Sequence, residues 1–537
     1  MLTRTIAAVI ALLVTTLAPA LPLRAQGARP KLVVFVVVDQ MRADYPVRYA
    51  GMLEHGLKRL TTQGAWFKNA AYPYLNTVTC VGHVTMSTGT FPYKHGMVAN
   101  TWYDRATDKI VTCNSDPDSS EISYVKSQGA GDSAFRMMAP TLAEIMRGTL
   151  KSRVATMSIK ARSAIGLAGH EGDFVTWFGD RGAWETSSAF TKTPVPWFVG
   201  YLKGNPVDKD ADKVWERALP AERYQYEDNA PGEGGAAGWT ATFPHPLGPS
   251  GDIVFLQHWL QSPFPDAYLE RMAEAAVDEM KLGTEDRTDF LGVSFSMLDT
   301  VGHAFGPHSH EVQDVIVRLD DAIGRLLDFL DKKVGPDNYV LAFASDHGVA
   351  DIPEQITNSG RVSIATVRAT IEATVKAALG GDGPFIAAAS GEIYFKPGVY
   401  DRLRMDRGAM RDIAAATAKV PGVARVLWSD EISTAAARTS KDAQLRAAAL
   451  TYFPGRSGDL FVVPRENWMM TTVGTTHGSW YDYDQRIPVL LYGAGIQAGA
   501  RDEAVTPADI APTIASIVGV RLPAPDGRVL SSALKKR

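Results

Sequence analysis

Residues 32–39 read LVVFVVVD. The seven apolar side chains before Asp39 are too few to span a membrane and show no polar alternation. Such a run suits a strand of a parallel sheet covered on both faces. Similar runs follow at Val154 to Ile159, Phe290 to Leu298, Tyr339 to Ala344 and Pro488 to Tyr492. Between them lie helical patterns. The clearest covers about residues 311–332, with Val312, Val315, Ile316, Leu319, Ile323, Leu326, Leu327 and Leu330 on one face. Strands alternating with helices predict an α/β core with a mostly parallel central sheet in three layers.

Two long segments interrupt the alternation. Residues 171–255 are rich in Trp, Gly and Pro, and residues 355–470 carry helix and strand patterns of their own. Both read as cap insertions, leaving 26–170, 256–354 and 471–537 as three parts of one core. Packing is the simplest reading of the aromatics Trp177, Trp184, Trp197, Trp215 and Trp239.

The first residues read as an export signal (1–25), with Arg4 in the charged region and an apolar stretch from Ile6 to Ala18. Cleavage fits after Ala20 or after Ala25. An export signal implies a periplasmic or secreted protein with no stable membrane association once the signal is removed. Of 537 residues, 55 are basic and 59 acidic, giving a net charge of -4 with no basic block, so no nucleic-acid partner is implied. The only cysteines, Cys80 and Cys113, are too few for a thiolate metal site or a disulfide framework, although export permits a bridge. Any metal is therefore held by oxygen and nitrogen.

Three carboxylates stand at predicted strand ends: Asp39 after Val38, Asp299 after Leu298 and Asp346 two residues after Ala344. The C-terminal edge of an open α/β sheet is where ligands bind. Each has histidine company: His303 four residues after Asp299, His347 next to Asp346, and His477 in GTTHG at 474–478. This donor set suits zinc. Converging carboxylates need cations, and two metals also suit phosphoryl transfer. Asp44, His308 and His310 read as solvated or supporting groups. For a nucleophile, residues 76–83 (NTVTCVGH) read as a loop entering a helix, where free N–H groups favour an anion. The residues alone leave Thr77, Thr79 and Cys80 open.

Several motifs together resemble the alkaline phosphatase superfamily, most closely the bacterial PafA-type alkaline phosphatases, with their type I phosphodiesterase/nucleotide pyrophosphatase-like core. They are VVVDQMR at 36–42, TVTCVGHVTMSTGTFPYKHGMVAN at 77–100, SIKARSAIGLAGH at 158–170, MLDTVGHAFGP at 297–307, SDHG at 345–348 and GTTHGSWYDYDQRIPVLLYG at 474–493. The resemblance runs from about Leu32 to Leu522. It implies Thr79 as the nucleophile and two zinc ions. Asp39, Asp346 and His347 are implied for the ion that activates Thr79; Asp299, His303 and His477 for the ion facing the leaving group. Asn100, Lys160 and Arg162 are implied to bind phosphoryl oxygens. A phosphate monoester presents one more charged oxygen than a diester, so the Lys-x-Arg pair favours small-molecule monoesters. The implied reaction passes through a threonyl-phosphate and releases inorganic phosphate. The alternatives are a phosphodiesterase of the same superfamily and an exported zinc-binding protein without activity. A sulfatase fits poorly, because Cys80 is followed by Val81-Gly82-His83 rather than the Cys-x-Pro-x-Arg context.

Overall fold

A computed structural model describes residues 29–125, 129–236 and 238–536; the export signal expected at 1–25 lies outside them. The expected strand is present as β1 (Leu32–Val38). The elements that build the site around it follow in chain order: α1 (Thr79–Thr88), β2 (Val154–Ser158), α2 (Ala161–Ala168), β3 (Phe174–Phe178), α3 (Phe264–Met280), β4 (Asp289–Phe295), α4 (Met297–Phe305), α5 (His310–Lys333), β5 (Tyr339–Ala344) and β6 (Val489–Gly493).

β1 lies inside an 11-stranded sheet. It pairs in parallel with β4 on one side and β5 on the other, Leu32 standing opposite Asp289 and Tyr339. β4 continues to β2, and β2 to β3, all parallel. The alternation of side chains along a strand explains why β1 has no polar position. Val34, Val36 and Val38 pack on one face with Leu319, Ile323 and Leu327 of α5. Val33, Phe35 and Val37 pack on the other with Ile510 and Ile514 of the C-terminal helix. Helices thus cover both faces and make three layers.

Three details of the sheet were not visible in the sequence. β6 runs antiparallel to β5, so the sheet is mixed towards that edge. An apolar run reads the same in either direction, and the sequence carries no signal for the choice. β4 ends at Phe295, and Met297 and Leu298 open α4 instead of extending the strand. Together with Val301 and Phe305 they form the buried stripe of that helix, where the apolar period changes from unbroken to helical. Asp299 therefore stands on a helix, not at a strand tip. Finally, the sheet extends beyond residue 170: β3 and the strand Trp184–Ser187 belong to it.

Trp177, Trp184 and Trp215 are buried in hydrophobic clusters, and Trp197 and Trp239 pack against the main one. Residues 386–464 form a separate four-stranded antiparallel sheet with its own core, including Ile371, Ile393, Ile413 and Trp428. Among the described residues no helix is long and apolar enough to cross a membrane.

Candidate active site

The C-terminal edge of the parallel strands gathers the residues singled out by the sequence. Asp39 directly follows β1, and Asp346 and His347 follow β5. Asp299 and His303 sit one turn apart on α4, and His477 comes from the loop before β6. Thr79 is the first residue of α1, where the helix leaves its N–H groups unpaired by the backbone. Its hydroxyl lies 3.4 Å from His347 Nε2.

Ligand atoms of Asp39, Asp346 and His347 lie within 4.8 Å of one another, as do those of Asp299, His347 and His477. His347 Nε2 is 3.3 Å from Asp39 Oδ1 and 3.3 Å from Asp346 Oδ2. His303 completes the second group from the rim: its Nε2 is 3.2 Å from Asp299 Oδ1, and its side chain is 37% exposed. His477 Nε2 approaches the same oxygen at 3.5 Å. The other ring nitrogens fix the tautomers. Nδ1 of His303 donates to the Thr475 carbonyl (2.8 Å), Nδ1 of His347 to Gly348 (3.0 Å) and Nδ1 of His477 to Thr77 (2.8 Å). Carbonyls only accept, so Nδ1 carries a proton in all three imidazoles and each ring turns its Nε2 inward, the orientation that metal-ligating histidines use.

The electrostatics ask for cations. Burial pushes the Asp346 carboxyl up, and Asp39 pushes it the same way. Burial and Asp299 also push Asp39 up, but Lys160 and His347 outweigh them and hold it well below the usual carboxylate range. Burial works against a charged His347, yet Asp346 and Asp39 raise it to about 9. Burial, then His347, pushes His477 well down. Among the described residues Asp39 Oδ1 is buried without a hydrogen-bond partner. Unpaired carboxylate oxygens and inward Nε2 atoms form a donor set suited to divalent metal ions.

The oxygen-binding residues are placed as follows. Asn100 Oδ1 accepts from the Cys80 N–H (2.9 Å), so its Nδ2 remains a donor beside Thr79. Cys80 and Cys113 form a disulfide. The Cys113 N–H donates to the Asn100 carbonyl (2.9 Å), so the bridge ties the Asn100 segment to α1. Lys160, at the N-cap of α2, pairs with both Asp39 and Asp299 rather than standing free. Arg162 lies close enough to Lys160 to oppose its charge. Asp44, His308 and His310 stay out of both groups: Asp44 pairs with Arg42 and Arg48, His308 with Asp351 and His310 with Asp228.

Sequence reasoning gave no role to two buried supports. His83 Nδ1 donates to the Thr79 carbonyl (2.9 Å) and lies 3.3 Å from Asp346 Oδ2. The four-residue spacing from Thr79 on one helix was the available signal. Asp266, on α3, accepts from the Ser296 and Met297 N–H groups and so caps α4 (3.0 and 3.2 Å). Nothing in its local sequence announces that contact.

Fold and site together define an α/β protein whose sheet edge carries two adjoining groups of side chains that could hold metal ions, beside a hydroxyl at a helix N-terminus. The chain belongs to the type I phosphodiesterase / nucleotide pyrophosphatase family, which matches residues 33–480. It is 32% identical over 510 residues to alkaline phosphatase PafA of Elizabethkingia meningoseptica, covering 92% of each chain. It is 29% identical over 534 residues to alkaline phosphatase PhoV of Synechococcus elongatus, covering 95% of this chain and 94% of the other. A solved structure of alkaline phosphatase PafA superimposes with a TM-score of 0.87 at 31% identity, over 95% of this chain and 100% of that one.

Proposed function

We propose that this chain is an exported zinc-dependent alkaline phosphatase that hydrolyses small-molecule phosphate monoesters through a threonyl-phosphate. The observation that carries the reading is the set of inward Nε2 atoms and buried carboxylates packed against the Thr79 hydroxyl. Similarity to alkaline phosphatases over nearly the full chain supports it. In this reading Asp39, Asp346 and His347 hold one zinc, and Asp299, His303 and His477 hold the other. Two such ions supply charge stabilisation for the attacking and departing oxygens.

Thr79 Oγ1 attacks phosphorus in line. The new P–Oγ1 bond forms as the ester P–O bond breaks, the proton lost from the Thr79 hydroxyl is made up on the departing alkoxide, and the alcohol leaves. Water then attacks the threonyl-phosphate, the P–Oγ1 bond breaks, and inorganic phosphate leaves. Asn100 Nδ2 and the Arg162 guanidinium orient phosphoryl oxygens. Two of the three ammonium donors of Lys160 face Asp39 and Asp299, which leaves the third for an oxygen of the ester. The positive end of the α1 dipole favours the same anion, although the Cys80 N–H is taken by Asn100 Oδ1. Most of the rate enhancement is positioning and charge stabilisation. The signal read at 1–25 supports a mature protein in the periplasm or outside the cell. We assign residues 355–470 as a cap over the sheet edge.

A phosphodiesterase is the second reading, favoured by the family description itself. One panel separates the two: an aryl phosphate, a bis-aryl phosphate and an aryl sulfate, each assayed on zinc-loaded protein and again after chelation. The proposal expects the monoester to be turned over fastest and all activity to vanish on chelation and return with zinc. Faster turnover of the diester would replace it with the second reading.

A further inference from the structure

Directly after Asp39, Gln40 adopts the left-handed backbone region, with φ of 67°. Asn and Asp enter this region readily, whereas Gln has no such local advantage. Backbone strain of this kind persists only where the surroundings over-determine it. Gln40 is 1% exposed, and its surroundings are the two metal-binding groups. Its N–H donates to Asp346 Oδ1 (3.1 Å), in one group. Its side-chain Nε2 donates to Asp299 Oδ1 (2.6 Å), in the other, and reaches the Asp299 carbonyl at 3.4 Å. Asp299 Oδ1 is the same oxygen that faces His303 and His477. Space for the amide is left by Gly302, which lies between Asp299 and His303 on α4 and where a Cβ would overlap Gln40 Oε1.

We infer that Gln40 is the positioning residue that fixes the ligand carboxylates of the two metal sites relative to each other. Its backbone orients Asp346, and its amide stops Asp299 from rotating. Partners of ligating carboxylates set ligand orientation and hence affinity. A two-metal displacement works only at a separation of about 3.5–4 Å, so a single residue tying both sites governs the chemistry without touching the ester. The inference rests on the metal-site reading above, but not on which ester is hydrolysed.

Two variants test it. Gln40→Asn keeps an amide and suits the left-handed backbone, but falls one methylene short of Asp299. Gln40→Met keeps the length and loses the donor. Zinc is titrated onto each metal-free protein against a competing chelator, and the melting of the metal-free protein is recorded. Both variants should bind one of the two ions about 10–100-fold more weakly. The other ion should be held as in the parent, and the metal-free Asn variant should melt no lower than the parent. kcat/KM at limiting zinc should fall equally on monoester and diester. Parental affinity for both ions in both variants would overturn the inference. So would an equal loss of both ions accompanied by earlier melting, which would make Gln40 a folding residue only. A parent protein that binds fewer than two zinc ions would instead overturn the metal-site reading.

Discussion

Arg162 carries a buried Nε with no hydrogen-bond partner among the described residues. A buried donor left unpaired costs about 1–3 kcal/mol, so the position is maintained against a stability penalty. In the proposed reading the other guanidinium nitrogens meet a phosphoryl oxygen, and the extra charged oxygen of a monoester would make that match selective. Lys160 is a less direct probe, because removing it also strips a counter-charge from Asp39 and Asp299. Arg162→Ala should lower kcat/KM for an aryl monoester by about 10²-fold, the scale of losing one oxyanion donor, while a bis-aryl diester changes by less than ~10-fold. Steady-state assays on both esters check this, and equal losses would remove Arg162 from substrate discrimination. The acidic and histidine residues that the fold brings together could be read from the sequence because each carries its chemistry in its own side chain. Gln40 and His83 could not: an amide and a helix imidazole acquire a role only when the fold brings distant carboxylates against them.

The same limit operates on elements. β1 and β5 were readable as strands because their apolar runs stop at a polar residue. The end of β4 was not, because the apolar stripe of α4 begins two residues later and prolongs the run. The direction of β6 depends on its neighbour and not on its own residues. α1 offers a sharper test of element placement. Its Gly82 presses against the backbone of Asp346, and a Cβ there would overlap the Asp346 carbonyl oxygen. Close approach of this kind leaves room for glycine alone. Gly82→Ala should push α1 off the metal-binding loop, at a cost of about 1–3 kcal/mol for overpacking. It should lower turnover by about 10²-fold, the effect of displacing a reacting group by ~1 Å. Thermal melting and kinetics on one preparation check both numbers; a stable variant with full activity would show that α1 tolerates the displacement.

At the scale of the molecule, the sheet edge concentrates buried negative charge that the protein compensates only in part, with Lys160 and the imidazoles. Bound zinc should therefore stabilise the whole chain. Each site saturated at about a thousandfold over its Kd contributes roughly 4 kcal/mol. Chelation should lower the melting temperature, zinc should restore it, and the midpoint should rise with zinc concentration; a melting curve indifferent to zinc would refute this. The placement of β1 inside the sheet has a further consequence, for synthesis. β1 emerges first, yet its partners β4 and β5 begin at Asp289 and Tyr339, and the last ligand is His477. Until those segments arrive, the growing chain exposes an unpaired apolar strand, which is sticky and needs shielding. It also lacks a complete set of the proposed ligands, so a fragment that stops short of His477 should bind fewer zinc ions than the full chain. In the proposed reading chain order would therefore set when activity can begin: hydrolysis would have to wait until His477 has been made.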